Sequence, residues 1–178
     1  GGVDLNGDGY HEIIVGAPYY NESRSDDGAV FLFYGATTNN IRPNGENTYS
    51  QRVINPYRAQ GNSSGSNSDE FGHSVAGVRD VNGDGFDDLV IGARYEEGRW
   101  GGSNRGHVYV YYGRAAASVG GHAQSYRGPN SDHTYFGSYV ANLGDVNGDG
   151  LGDFAASAPQ YNSGRGIVYV YHGRVGNT

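Results

Sequence analysis

Hydrophobic and polar residues alternate in three short aromatic runs, Ala29 to Gly35 (AVFLFYG), His107 to Gly113 (HVYVYYG) and Ile167 to Gly173 (IVYVYHG). A period of two built from Val, Tyr and Phe predicts strands with two usable faces. Each run follows an acidic turn and a more continuous apolar segment: Asp4 to Pro18 (DLNGDGYHEIIVGAP), Asp80 to Arg94 (DVNGDGFDDLVIGAR) and Asp145 to Pro159 (DVNGDGLGDFAASAP). Their first Asp residues stand 76 and 65 positions apart, a spacing longer than most solenoid repeats and suited to a propeller blade with loop insertions. Ahead of the second and third acidic turns stand Phe71-Gly72 and Phe136-Gly137, followed by SVAGV and SYVANL, which read as a further strand.

A complete unit is thus a four-stranded antiparallel meander: Phe-Gly and strand 1, acidic loop, strand 2, aromatic strand 3, then a weaker strand 4. In the middle unit the strands are expected near residues 72–79, 87–93, 106–113 and 122–127. The fold class is all-β, a single domain over residues 1–178 with repeats at about 1–60, 71–127 and 136–178. Helix is expected to be nearly absent. The first unit lacks strand 1, and its strand 4 is expected near 49–60, within the Asn-, Ser- and Gly-rich stretch 36–70. Fewer than three complete blades cannot close a ring, since propellers close with about four to eight. The chain is therefore expected to be an incomplete propeller, finished by a longer parent chain or by other copies.

Composition fits this picture. The 178 residues include 32 Gly and 16 Tyr, and the formal charge is −7. All 12 basic residues are Arg, and the acidic excess argues against nucleic acid as a partner. Much of the acid is concentrated in the three loops, and three divalent cations would bring the charge to roughly −1. With no Cys, disulfides and thiolate metal sites are excluded. No apolar run reaches membrane-spanning length.

The loops carry the chemistry. Calcium takes six to eight oxygen ligands, and a tight turn meets that demand by pointing alternate side chains inward. In the middle loop these are Asp80, Asn82, Asp84 and Asp88, with the Phe86 carbonyl. The third loop offers Asp145, Asn147, Asp149, Asp153 and the Leu151 carbonyl, and the first Asp4, Asn6, Asp8, the Tyr10 carbonyl and Glu12. Glu12 replaces the final Asp, and its extra methylene is expected to weaken or reshape that site. An EF-hand begins similarly but needs a Glu at the twelfth position, where Val15, Ile91 and Ala156 stand here.

Phe-Gly, DxNxDGxxD and Gly-Ala-Pro together resemble the FG-GAP repeat of integrin α-subunit propellers over nearly the whole chain. Arg94 in place of Pro and Ser157 in place of Gly depart from the pattern. The resemblance implies a propeller whose calcium ions, about three here, stiffen hairpins while ligands bind elsewhere. The expected function is a calcium-stabilised extracellular or cell-surface module for adhesion, binding or self-assembly, with a protein or glycan ligand. The alternatives are a lectin and an accessory domain of a secreted enzyme.

No catalytic residues are assigned. Gly61-Asn62-Ser63-Ser64-Gly65 matches GxSxG but lacks the flanking strand and helix of a nucleophile elbow. The six His residues show no zinc spacing and are expected at the surface or in strand packing. Asn21-Glu22-Ser23 and Asn62-Ser63-Ser64 are glycosylation sequons, and Trp100 is a candidate contact residue in a loop.

Overall fold

The structure is a computed structural model, which describes residues 2–21, 28–35, 51–54, 69–96, 104–115 and 119–176. Three antiparallel sheets follow one another along the chain. The first holds β1 (Ile13–Ala17), β2 (Ala29–Phe33) and β3 (Gln51–Ile54) in that order. The second is the complete meander β4 (Phe71–Val78), β5 (Asp88–Ala93), β6 (His107–Tyr111) and β7 (His122–Arg127). The third contains β8 (Val140–Gly144), β9 (Asp153–Ala158) and β10 (Ile167–Tyr171). The sheets are those of an incomplete propeller.

Strand positions follow the sequence pattern to within two residues in the middle sheet. In the third sheet β8 begins only at Val140, because Phe136 to Ser138 form a turn that interrupts the ladder. Gly137 there has φ 83° and its amide bonds the Ser157 carbonyl at 3.0 Å. Helix is confined, among the described residues, to the single turn α1 (Tyr161–Gly164), whose Asn162 and Ser163 adopt left-handed angles. The GxSxG stretch, Trp100 and the second sequon lie outside the described residues, as do residues 22 and 23 of the first sequon and most of the segment around β3.

The period of two sorts side chains into two cores. In register, Leu89 opposes Tyr111 and Ile91 opposes Tyr109, and these four pack with Val30, Leu32 and Ile14 of the first sheet. The alternate residues Val90, Val108 and Val110 turn the other way and meet Phe136, Phe154 and Tyr169 of the third sheet. The middle sheet is thus buried on both sides, and the cores between sheets are continuous with it.

Phe-Gly sets the spacing between sheets. Phe71 and Phe136 are fully buried, edge-on to Tyr109 at 5.7 Å and Tyr169 at 5.7 Å respectively. The glycine after each phenylalanine brings its carbonyl against the preceding sheet. A Cβ on Gly16 would stand 2.1 Å from the Gly72 oxygen, and one on Gly92 2.0 Å from the Gly137 oxygen. Only hydrogen fits at these two positions, which explains the Gly that opens the Gly-Ala turn in the first and second units. Ser74 on β4 completes the second notch, its hydroxyl donating to the Gly137 carbonyl at 2.7 Å.

Replacing Gly92 with Ala is expected to lower unfolding free energy by about 2 kcal/mol or more, because the obstructing atom is backbone and cannot rotate away. A methyl group at Gly121 would meet no atom within 4 Å, so that position should accept Ala within about 0.5 kcal/mol. Chemical denaturation of the two variants measures the contrast. A second expectation concerns His107, which opens β6. Burial, assisted by Arg127, pushes its pKa down to about 4, although Glu96 Oε1 lies 3.8 Å from Nδ1. The unfolded chain takes up a proton below about pH 6.5 while the folded imidazole stays neutral. Stability should therefore be intact above that pH and fall by up to about 3 kcal/mol as pH drops to about 4. His107→Gln should flatten that part of a stability-versus-pH curve.

Candidate metal centre

Each acidic loop joins the first and second strand positions of its sheet, and all three are built by the same hydrogen bonds. In the first, the Asp4 carboxylate accepts from the amides of Gly7 at 2.7 Å, Asp8 at 3.1 Å and Gly9 at 2.8 Å. Asp80 accepts from Gly83, Asp84 and Gly85 at 2.6, 3.2 and 2.7 Å. Asp145 does the same with Gly148, Asp149 and Gly150 at 2.7, 3.2 and 2.8 Å. The Asn side chain bonds the middle Asp in every loop, at 3.0 Å for Asn6–Asp8 and 2.8 Å for both Asn82–Asp84 and Asn147–Asp149. The amides of Tyr10, Phe86 and Leu151 bond those same Asp residues. The glycines at the fourth and sixth loop positions have φ between 73° and 92°, so this winding favours the Asn-Gly-Asp-Gly turn that all three loops share.

The last acidic residue of each loop has a separate structural task. Asp88 accepts from the Val81 amide at 2.7 Å through Oδ2 and from the Gly113 amide at 3.0 Å through Oδ1. Asp153 repeats this with Val146 at 2.8 Å and Gly173 at 2.9 Å. One carboxylate thereby ties the loop to the end of the aromatic strand. Asp88 is fully buried, and desolvation pushes its carboxyl up to about 7 against the pull of those two amides, with Asp84 and Asp80 adding repulsion. Desolvation also raises Asp153, but the Val146 and Gly173 amides and His172, at 3.2 Å, outweigh it and hold that carboxyl below the usual range.

Glu12 behaves differently. Its Oε2 accepts from the Leu5 amide at 2.6 Å, as the corresponding Asp residues do, while the longer side chain leaves Oε1 buried with no hydrogen-bond partner. Asp4, Asp8 and Glu12 each bring a carboxylate oxygen within 4.8 Å of the others, the one such group of three among the described residues. Burial raises the Glu12 carboxyl, reinforced by Asp4 and Asp8 and opposed by the amides of Leu5 and Gly35. An orphaned buried oxygen within a group of carboxylates fits a hard divalent cation, whose charge would offset both desolvation and mutual repulsion. In loops two and three the backbone framework is the same, and the final Asp has both oxygens occupied by amides.

The loops also join one sheet to the next. Asp87 donates its amide to the Asp4 carbonyl at 3.2 Å, and Gly152 to that of Asp80 at 2.7 Å. Arg114 and Arg174 donate theirs to the carbonyls of Leu5 at 2.9 Å and Val81 at 2.7 Å. The Asp87 carboxylate in turn accepts from the Asp4 amide at 2.9 Å. These residues carried no legible signal in the sequence, because the eighth loop position holds His11, Asp87 and Gly152 and contributes its backbone.

Residues 1–33, 71–111 and 136–171 match the family model described as the FG-GAP repeat. The chain belongs to the FG-GAP repeat family. Curated relatives of this FG-GAP chain include integrin alpha-PS2 of Drosophila melanogaster, 33% identical over 182 residues, which span 96% of this chain and 12% of the relative. Integrin alpha-2 of Bos taurus is 30% identical over 162 residues, 88% of this chain and 12% of the relative. Integrin alpha ina-1 of Caenorhabditis elegans is 39% identical over 116 residues, 58% and 10% of the two. The FG-GAP chain therefore spans about an eighth of the length of the curated relatives it matches. Among the described residues no helix is long and apolar enough to cross a membrane.

The two kinds of carboxylate should separate by mutation. With a chelator present, Asp88→Ala is expected to lower unfolding free energy by about 3 kcal/mol, since two buried amides lose their acceptor. Asp84→Ala should cost less than about 1 kcal/mol under that condition, because its amide partners lie in an exposed turn. Parallel denaturation curves read both values.

Proposed function

We propose that this chain is a calcium-stabilised binding module of an integrin-like adhesion propeller, working outside the cell or at its surface. The observation that carries the reading is the partnerless, buried Glu12 Oε1 beside Asp4 and Asp8, in a loop whose framework recurs twice. In this reading Asp4, Asn6, Asp8 and Glu12 supply side-chain oxygens and Tyr10 its carbonyl. The second loop uses Asp80, Asn82, Asp84, Asp88 and the Phe86 carbonyl, and the third Asp145, Asn147, Asp149, Asp153 and the Leu151 carbonyl. About three calcium ions would neutralise the acidic turns, and millimolar calcium outside cells would fill even weak sites.

The role of the ion here is mechanical. The first and second loops each abut the next sheet through the carbonyls of their first two residues, so stiffening those loops fixes the angle between successive sheets. Ligand contact, with a protein or a glycan, is left to other surfaces, and no catalytic role is assigned to this chain. The ring is completed by further repeats of a longer parent chain or by association between copies. The similarity to integrin alpha subunits supports adhesion as the setting.

Calcium titration by calorimetry, together with melting curves in calcium and in chelator, tests the proposal. About three ions should bind per chain. At a free concentration about 100 times the dissociation constant, each site should add about 2.7 kcal/mol to stability. Asp80→Ala should remove one ion and its share of the stabilisation. A melting curve that ignores chelation overturns the reading.

A further inference from the structure

The eighth position of each acidic loop, which supplies no ligand in the calcium reading, holds a different residue in every repeat: His11, Asp87 and Gly152. Its backbone amide has the same task at both junctions between sheets. It donates to the carbonyl of the first Asp of the preceding loop, from Asp87 to Asp4 at 3.2 Å and from Gly152 to Asp80 at 2.7 Å. Asp87 does more, because its Oδ2 also accepts from the Asp4 amide at 2.9 Å. Both backbone polar groups of Asp4, the residue whose carboxylate winds the first loop, are therefore bonded to one residue of the second loop. At the next junction Gly152 has no side chain to offer, and none fits. A Cβ there would stand 2.3 Å from the Arg79 carbonyl oxygen.

The winding of the second loop sets the position of Asp87. It lies between Phe86, whose amide bonds the Asp84 carboxylate at 3.0 Å, and Asp88, whose carboxylate accepts from the amides of Val81 and Gly113. The Phe86 ring lies against the first loop as well. A Cβ on Gly7 would meet its Cε1 at 2.8 Å, whereas one on Gly83 would meet the equivalent Leu151 only at 3.6 Å. Hydrogen bonds to an ionised acceptor are stronger than neutral ones, and the bond from Asp4 to Asp87 is partly shielded from water. Unwinding the second loop would displace both neighbours of Asp87, and with them the carboxylate that holds Asp4.

We propose that Asp87 is a positioning residue that couples the calcium sites of the first and second loops, so that filling either raises the affinity of the other. This coupling rests on the calcium reading given above. Phe86 and Asp88 are ligands in that reading, so in a filled second loop the 86–88 turn is fixed and presents the Asp87 carboxylate to Asp4. A first loop already held at Asp4 loses less conformational freedom on binding its own ion. Coupling between binding sites is reciprocal, so the first loop returns the same factor to the second. Between the second and third loops Gly152 supplies only its backbone, and this side-chain link is missing.

Calcium titration of the full chain, followed by NMR at the amides of Gly9, Gly85 and Gly150, tests the coupling with one reporter in each loop. Asp80→Ala, which empties the second loop, should raise the half-saturating calcium concentration of the first loop about 10-fold and leave the third within about twofold. Asp87→Ala should raise the first loop's value by a similar factor, and adding Asp80→Ala to it should change that value no further. Asp87→Asn keeps an acceptor oxygen without the charge, and should bring the first loop to within about threefold of wild type. A first loop that fills as readily, or more readily, when the second is emptied overturns the proposal. So does a response to Asp80→Ala that persists in full after Asp87→Ala, or an Asp87→Asn variant no better than Asp87→Ala. Three loops that fill independently mean that coupling has failed while the calcium reading stands. Amides that ignore calcium, with melting indifferent to chelation, mean that the calcium reading itself has failed. Should Asp87→Ala not fold, Asp87→Gly, which gives the second loop the residue found in the third, provides the same comparison.

Discussion

The arrangement of sheets depends on a backbone carbonyl lodged where a side chain would otherwise be. Gly72 and Gly137 press their oxygens against Gly16 and Gly92 of the preceding sheet, at separations that leave no room for a methyl group. Close-packed interiors transmit such a constraint, because neighbouring atoms have no slack in which to absorb a displacement. With the carbonyl seated, Phe71 and Phe136 fill the space between sheets, and the alternating Val and Tyr residues of β6, with Ile167, Tyr169 and Tyr171 of β10, come within packing distance of their neighbours. The Phe-Gly and Gly-Ala parts of the repeat are therefore two halves of a single contact, lying in successive repeats.

The acidic loops hold the opposite ends of the strands by different physics. Their carboxylates act first as hydrogen-bond acceptors for an otherwise unsatisfied turn, and only then as a source of negative charge for a cation. Asp88 and Asp153 illustrate how one framework yields different electrostatics. Both accept two amides, yet burial dominates at Asp88, whereas at Asp153 the Val146 and Gly173 amides outweigh it, joined by His172, which stands where the other repeats have Tyr34 and Tyr112. In the first loop, Glu12 leaves an oxygen with no partner. A group that water cannot reach and the protein does not satisfy is expensive to bury, and this is the physical argument for a cation there.

Stacking makes the ends of the molecule unlike its middle. A propeller blade has two apolar faces, and each needs a neighbour. The middle sheet has both. The outer sheets carry the same alternation with one side uncovered, so the property that builds the stack also leaves it open to extension.

Much of this was legible in the sequence. Three in-phase acidic loops, the Phe-Gly pairs and the period-two aromatic runs determined the all-β class, the number of repeats, the strand order and the residues grouped in each loop, because local turn chemistry and side-chain alternation act over a few positions. The delayed start of β8 was not legible, since Ser138 and Tyr139 read as the start of the strand SYVANL, whereas the Ser138 amide closes a turn onto the Tyr135 carbonyl at 3.1 Å. Nor was which oxygen of Glu12 finds a partner, in a site expected to be weakened or reshaped by the extra methylene: that is decided by where the Leu5 amide lies. The difference between Val110 and Val170, chemically identical and equivalent in their repeats, was beyond sequence altogether. Burial is a property of what stands opposite, and only the stacked sheets decide which of two identical faces has a partner.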